Sequence, residues 1–292
     1  MPREAEPSVN ERSFVIQALQ ENLRLDGRGF DEVRALELSF GDEFGTADVA
    51  LGKTRVVARV SAEVTKPFPD RPFDGIFTIT TELSPMASPA FEVGRQTEQE
   101  VILSRILEKA IRRSQALDTE SLCIIAGQKC WNVRADVHVI DYDGGLTDAS
   151  CIAVVAALQH FRRPDVSIEG ERVTIFSLAE RVPVPLSLLH CPICVTFSFF
   201  HGVEAVLIDA TLQEEQIREG ELIITLNRHG ELCQIAKLGG VPVDALTLLN
   251  CANVALVKAQ EISRFISRKL DENSKAKDMG GLLAELSAEN AR

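Results

Sequence analysis

Residues 54–64, TRVVARVSAEV, alternate without a break: Val56, Ala58, Val60, Ala62 and Val64 point one way, and Arg55, Arg59, Ser61 and Glu63 the other. A two-residue period with β-branched residues on the apolar side marks a half-buried strand. The pattern returns at Val133, Ala135, Val137 and Val139, set against Arg134, Asp136 and His138. Between these two stretches the Pro-rich loop KPFPDRPFDG (66–75) leads into a third short strand, IFTITTEL (76–83). The second half of the chain repeats the theme with strands near VTIFS (173–177), CVTFSFF (194–200) and EAVLID (204–209). A short acidic helix, LQEEQIREG (212–220), then enters a hairpin, ELIITLN and ELCQIAK joined at RHG (228–230). Helical spacing covers 9–22 and a segment that starts near Thr147, a candidate N-cap, and runs through ASCIAVVAALQHF (149–161). A last helix spans 243–270 with an apolar stripe at 245, 249, 252, 256, 259, 262 and 266, and residues 271–292 read as a mobile tail. Strands and helices come in groups with no linker between them, which predicts a single α+β domain.

The bulk numbers narrow the function classes. With 31 Lys+Arg against 43 Asp+Glu, the chain carries a formal charge of −12, so its whole surface does not suit nucleic acid and any anion must be held at a local patch. The polar start MPREAEPSVNERSF lacks an apolar signal region, and no apolar run is long enough to cross a bilayer; the expectation is an intracellular protein without membrane contact. Seven cysteines fit reduced, packed thiols, and the one close pair, Cys191 and Cys194, lacks the further ligands zinc requires. His138, on the polar side of its strand, reads as a hydrogen-bonded structural residue. The sequence contains no Walker loop, dinucleotide fingerprint, HExxH or nucleophile elbow, and it calls for no metal or cofactor.

The cations that exist are concentrated. In FEVGRQTEQEVILSRILEKAIRRSQAL (91–117), Arg105, Lys109, Arg112 and Arg113 fall within about a third of the circumference at roughly 100° per residue. Leu103, Ile106, Leu107, Ala110 and Ile111 take the opposite side. Gly94 marks the helix entry and Asp118 its exit. Such a face is either solvated surface or an anion site.

Several ordered blocks together resemble the RNase PH-like subunits of the RNA exosome: RLDGR (24–28), GDEFGTADVALGKTRVVARV (41–60), ELSPMASPAFEVGR (82–95), the basic helix, DTESLCIIAGQKCWNVRADVHVIDYDGG (118–145) and FRRPDV (161–166). Among ring subunits the chain looks most like the eukaryotic polymyositis/scleroderma-autoantigen type, related to the non-catalytic archaeal ring partner. The resemblance implies an RNase PH-like fold, a βαβα-type core of mixed sheets and helices over 1–270, within a six-membered ring around an RNA channel. It implies as partners other RNase PH-like subunits, RNA-binding cap subunits, associated hydrolytic exoribonucleases and single-stranded RNA, with residence in nucleus, nucleolus and cytoplasm.

Catalytic relatives hold inorganic phosphate with a hydroxyl residue and an arginine after the DGG turn. Here those positions are Leu146 and Thr147, and Asp148 adds an acid to the same helical turn, so the resemblance implies a lost phosphate site and no enzyme activity. Where catalytic relatives carry two aspartates, this chain has Glu215 and Glu221. They are either exposed acids on a helix and strand edge or the remnant of a composite phosphorolytic exoribonuclease site able to hold Mg²⁺ or a proton. The positions matching RNA-phosphate contacts are Lys109 and Arg112, with Arg105 on the same face and Arg95 in the preceding loop.

Overall fold

The computed structural model describes residues 6–92, 94, 96–169, 172–176, 180–202, 206–240 and 242–277. Helix α1 (Val9–Gln20) opens with a capping box, Ser8 and Glu11 each bonding the other's backbone, and ends where Asn22 turns left-handed at φ 58°. Then come β1 (Leu36–Phe40), β2 (Thr46–Leu51), β3 (Thr54–Thr65), β4 (Ile76–Leu83), α2 (Glu98–Leu107), β5 (Cys123–Ile125) and β6 (Lys129–Asp141). They are followed by α3 (Leu146–His160), β7 (Arg162–Arg163), β8 (Val166–Glu169), β9 (Arg172–Ile175), β10 (Val184–Pro185), β11 (Ile193–Phe199) and β12 (Leu207–Ile208). The chain continues through α4 (Leu212–Ile217), β13 (Gly220–Leu226) and β14 (Leu232–Gly239) into α5 (Ala245–Lys277).

The alternating strands form the centre of a six-stranded sheet in the order β1-β2-β3-β6-β4, with β5 on β6. The β4–β6 pair is parallel and the rest are antiparallel. Alternation translates directly into burial: Val56, Ala58 and Val60 are inside while Arg55, Arg59 and Ser61 are exposed. A second, antiparallel sheet runs β12-β11-β13-β14. Its inner strands β11 and β13 are buried throughout, so they read as continuous apolar runs instead of alternating ones.

Helix α3 lies between the sheets, packed on β2 and β3 on one side and β11 on the other. Only Thr147 and Gln159 escape full burial along it, which is why the helix is apolar on every face. One hydrophobic core therefore runs through both sheets, from Val49 and Val137 by way of Ile152 to Val195 and Ile223. Removing the Ile152 side chain from it would cost about 2–5 kcal/mol.

Three sequence expectations shift. The last helix continues to Lys277, so 271–277 belong to it and not to a tail; 278–292 lie outside the described residues. Its buried line is Cys251, Ala255, Ala259 and Ile266, while Ala245 and Leu249 in its first turns are exposed because Val243 and Leu248 take the side that packs on the core. The N-terminal helix closes two residues short of 22. His138 is held by Glu82, Nδ1 to Oε2 at 3.1 Å, as a structural residue. Cys191 bonds Gln159 and Cys194 lies buried beside Thr225; among the described residues no group of side chains is arranged to hold a metal, and no helix is long and apolar enough to cross a membrane.

Candidate functional site: the basic face and the helix N-terminus

The basic stretch is not one α-helix. Thr97 caps α2, its Oγ1 accepting the Glu100 N–H at 3.2 Å, so the helix begins after Gly94. From Glu108 to Arg113 the backbone widens into a π-helical segment, closed when the Ser114 hydroxyl donates to the carbonyls of Ala110 and Ile111. The wider turn keeps Ala110 and Ile111 fully buried while Arg112 and Arg113 stay outside. Such segments recur at functional sites.

Arg105, Lys109 and Arg112 share the exposed face, as expected, and Arg113 is exposed beyond them. Arg95 lies outside the described residues. What the cation count overlooked is Glu108, which pairs with both Arg105 (3.1 Å) and Arg112 (3.0 Å). Lys109 and Arg113 form no ion pair among the described residues. Exposed i,i+3 and i,i+4 pairs are worth only ~0.3–0.5 kcal/mol, so Glu108 orients the two arginines without locking them away from a competing anion.

The second region is the N-terminus of α3. Gly144 (φ 80°) and Gly145 (φ 67°) form the turn, and Gly145, not Thr147, is the N-cap. A Cβ on Gly144 would stand 2.5 Å from the Ala210 carbonyl oxygen, and one on Gly145 2.6 Å from Arg34 Nη2. Arg34 holds this turn tightly: it donates to the carbonyls of Asp143 (2.7 Å) and Gly144 (3.0 Å) and pairs with Asp209 at 2.6 Å. Asp209, 1% exposed and left-handed at φ 49°, also receives Arg28, while Arg24 pairs with Glu214 at 2.7 Å. The RLDGR block thus ties the loop ahead of α4 to the loop ahead of β1.

One backbone amide at this helix end is already taken. Gly145 N–H donates to Glu215 Oε1 at 3.0 Å, and the Tyr142 hydroxyl donates to Glu215 Oε2 at 2.9 Å. Arg218 reaches Glu215 at 3.3 Å and also pairs with Glu221. Neither glutamate is an exposed acid: their side chains are 12% and 11% exposed, and burial raises the Glu221 pKa against the pull of Arg218. An internal carboxylate occupies the favourable end of the helix dipole. Leu146 next to it is buried in the core. Asp148 does not face this site, because it turns inward to accept hydrogen bonds from Thr196 N (3.0 Å) and Oγ1 (2.7 Å). Sequence reading therefore missed Arg34, Tyr142, Asp209 and Arg218; the i+3 spacing of Arg218 from Glu215 and before Glu221 was the available signal.

Chemically, the first region offers loosely held cations to solvent, and the second offers an anion pocket already filled by the chain itself. Comparison with known proteins adds the following. The family description "3' exoribonuclease family, domain 1" matches residues 32–164, and its domain 2 matches residues 190–258. The chain is 54% identical over 295 residues to the protein named Exosome complex component rrp45 in Schizosaccharomyces pombe, covering all of both chains. It is 49% identical over 305 residues to Exosome complex component RRP45 of Saccharomyces cerevisiae, covering 100% of this chain and 99% of that protein. Among solved structures it is similar to a chain of an Archaeoglobus fulgidus exosome with RNA bound to the active site, with a TM-score of 0.76 at 32% identity over 87% of this chain and 97% of that one.

Proposed function

The chain belongs to the 3′ exoribonuclease family of RNase PH type, and on that premise we propose that it is a structural, RNA-guiding subunit of an exosome core ring, catalytically silent itself. Relatives at 49–54% identity over essentially their whole length carry the exosome-component name, which supports ring membership. The silence rests on one observation, the Glu215 carboxylate seated on the Gly145 amide beside Leu146. Phosphorolysis needs inorganic phosphate as nucleophile. A phosphate approaching this helix end would have to displace a buried carboxylate and then lie beside Glu221, where low dielectric makes like-charge repulsion costly. The composite-enzyme reading is disfavoured further because Arg218 already spans both glutamates.

Guiding falls to Lys109 and Arg112, which match the family's RNA-contacting positions, with Arg105 on the same face and Arg95 added only for its place in the preceding loop. Contacts of this kind position a strand without reading its bases. The proposed partners are other RNase PH-like subunits at both edges, RNA-binding cap subunits, associated hydrolytic exoribonucleases and single-stranded RNA; the proposed locations are nucleus, nucleolus and cytoplasm. The test is a reconstituted ring assayed for phosphate-dependent release of nucleoside diphosphates and for crosslinking of Lys109 to threaded RNA. Crosslinking without diphosphate release is expected. Phosphate-dependent release abolished by substituting Glu215 and Glu221 with Gln would overturn the silent reading.

A further inference from the structure

Two buried acids, Asp148 and Glu100, have no cation among the described residues, and of these Asp148 lines a cavity. Asp209 is matched by Arg28 and Arg34, Glu214 by Arg24, and Glu215 and Glu221 by Arg218. Asp148, 6% exposed in the first turn of α3, has the two Thr196 hydrogen bonds and, among the described residues, no cation. Buried carboxylates are ordinarily paired, since an isolated charge away from water is costly. The Thr196 hydrogen bonds compensate only in part: burial, reinforced by repulsion from Asp209 and Glu221, pushes the Asp148 pKa up to about 7.

Asp148 lines a cavity of about 300 Å³. Most of the remaining wall is apolar, from Val33, Leu36, Ile152 and Val195 to Ile262 and Phe265 of α5. The half-buried Val33 and the exposed Glu261 mark the side open to solvent. Two cations also line it, and both are committed: Arg34 to Asp209 at 2.6 Å, and Lys258 to Glu261 at 3.2 Å. Cys194 faces the space as a thiol whose pKa is raised well above its usual range by contact with Cys151 and by burial.

We infer that this cavity binds an aliphatic ammonium group, its carbon chain against the apolar wall and its NH₃⁺ on Asp148. An apolar wall with one acid that has no cation, Glu261 being paired with Lys258, matches the shape of an alkylamine, a compact charge on a flexible stem. Each Asp148 oxygen already accepts one hydrogen bond from Thr196 and keeps a second lone pair for the guest. Two sources carry that chemistry, a lysine side chain of a neighbouring polypeptide and a free polyamine. The site is separate from RNA guidance and stands or falls without it.

Calorimetry on the full chain tests this with n-pentylammonium and its neutral counterpart n-pentanol. The ammonium should bind at least tenfold more tightly. Its affinity should rise between pH 6 and pH 8, because ionised Asp148 offers the counter-charge; the other charged and titratable groups around it are Arg34, Lys258, Glu261 and Cys194 in the cavity wall, and Asp209 and Glu221 within Coulombic reach. Asp148→Asn keeps the size and can keep both Thr196 contacts; it should reduce ammonium binding to the pentanol level and leave pentanol binding unchanged. Val33→Trp should plug the opening and abolish both without touching Asp148, which keeps the question open to test even if the Asn variant folds poorly. Nα-acetyl-lysine N-methylamide binding better than spermidine assigns the guest to a polypeptide, and the reverse to a free polyamine; either supports the site provided Asp148→Asn weakens it. Equal affinity for pentanol and pentylammonium, or ammonium binding that survives Val33→Trp, overturns the inference.

Discussion

The basic face and the α3 N-terminus are both places where this fold can meet an anion, and they are built in opposite ways. On the basic face the cations are exposed and held only by i,i+3 and i,i+4 partners, so an incoming phosphate exchanges one weak, hydrated contact for another. At the α3 N-terminus the Gly145 N–H and the Arg34 guanidinium are committed inside the molecule, to Glu215, Asp209 and backbone carbonyls, so an incoming anion that needs them must break buried bonds first. A site can therefore be lost by saturation as well as by deleting a ligand. Exposure with loose pairing leaves the other available.

The largest effect should come from breaking the saturated region at its tightest point. Arg34→Ala removes one of the two partners of Asp209 and the donor to two carbonyls at once, leaving a 1% exposed carboxylate with Arg28 alone. The expected loss is about 2–4 kcal/mol in urea unfolding, the sum of a charged and two neutral-acceptor hydrogen bonds. A loss within ~0.5 kcal/mol would mean that the turn is not held as described.

Next in size is Glu215→Ala, which removes the carboxylate that accepts from the Gly145 amide and the Tyr142 hydroxyl. About 1–3 kcal/mol of stability should go. Leu146→Ser with Thr147→Arg restores the residue types of a phosphate site, yet should not confer phosphate binding while Glu215 is in place. The triple change with Glu215→Ala should confer it, read as a phosphate-dependent rise in melting temperature. Binding by the double variant alone would show that saturation is not what closes the site.

On the open side, Lys109→Glu with Arg112→Glu should leave stability within ~0.5 kcal/mol, because both side chains are exposed. Protection of long single-stranded RNA by the assembled ring should fall, and the salt dependence of RNA binding should lose ~0.7 per phosphate contact removed. Unchanged protection with an intact ring would remove the guiding role. Ring collapse would make the helix a subunit contact instead.

The two regions also differ in how far they could be read from sequence. Strands β3, β4 and β6 announce themselves because one face is wet, and alternation survives into burial. The basic face was legible in outline, since exposed cations at helical spacing need no tertiary knowledge. Its π-helical segment was not, because a 100° step carries no sign of a local change in winding. The saturated site was the least legible. Glu215 follows a Thr211–Glu214 capping box, and LQEEQI reads as a solvated acidic helix. Only the fold brings Gly145, 70 residues earlier, against Glu215. Asp148 likewise reads as a first-turn acid, and its partner Thr196 is 48 residues away.

The effect least visible in the wild type, where two opposite slopes overlap, concerns pH and separates Asp148 from its surroundings. In the folded chain its pKa is raised from 3.8 to about 7, so the native state binds more protons than the unfolded chain across that interval, and its contribution to stability declines as pH rises until it levels off near 7. His160 behaves oppositely: burial, with help from Lys277 and Arg162, lowers its pKa from 6.5 to about 4. Here the unfolded chain binds more protons, so this contribution grows as pH rises from about 4 to 6.5 and is lost again in acid. The two slopes have equal size and opposite sign where they overlap and should nearly cancel. Removing one exposes the other. Asp148→Asn should turn the Asp148–His160 share of the pH profile between 4.5 and 6.5 into a rise of about 1.4 kcal/mol per pH unit, and should flatten the interval between 6.5 and 7. Urea midpoints of wild type and variant across that range, compared as a difference so that surface carboxylates common to both drop out, are the measurement. A difference that does not change with pH would mean that Asp148 is ionised in the folded protein throughout, and that its buried charge is matched after all.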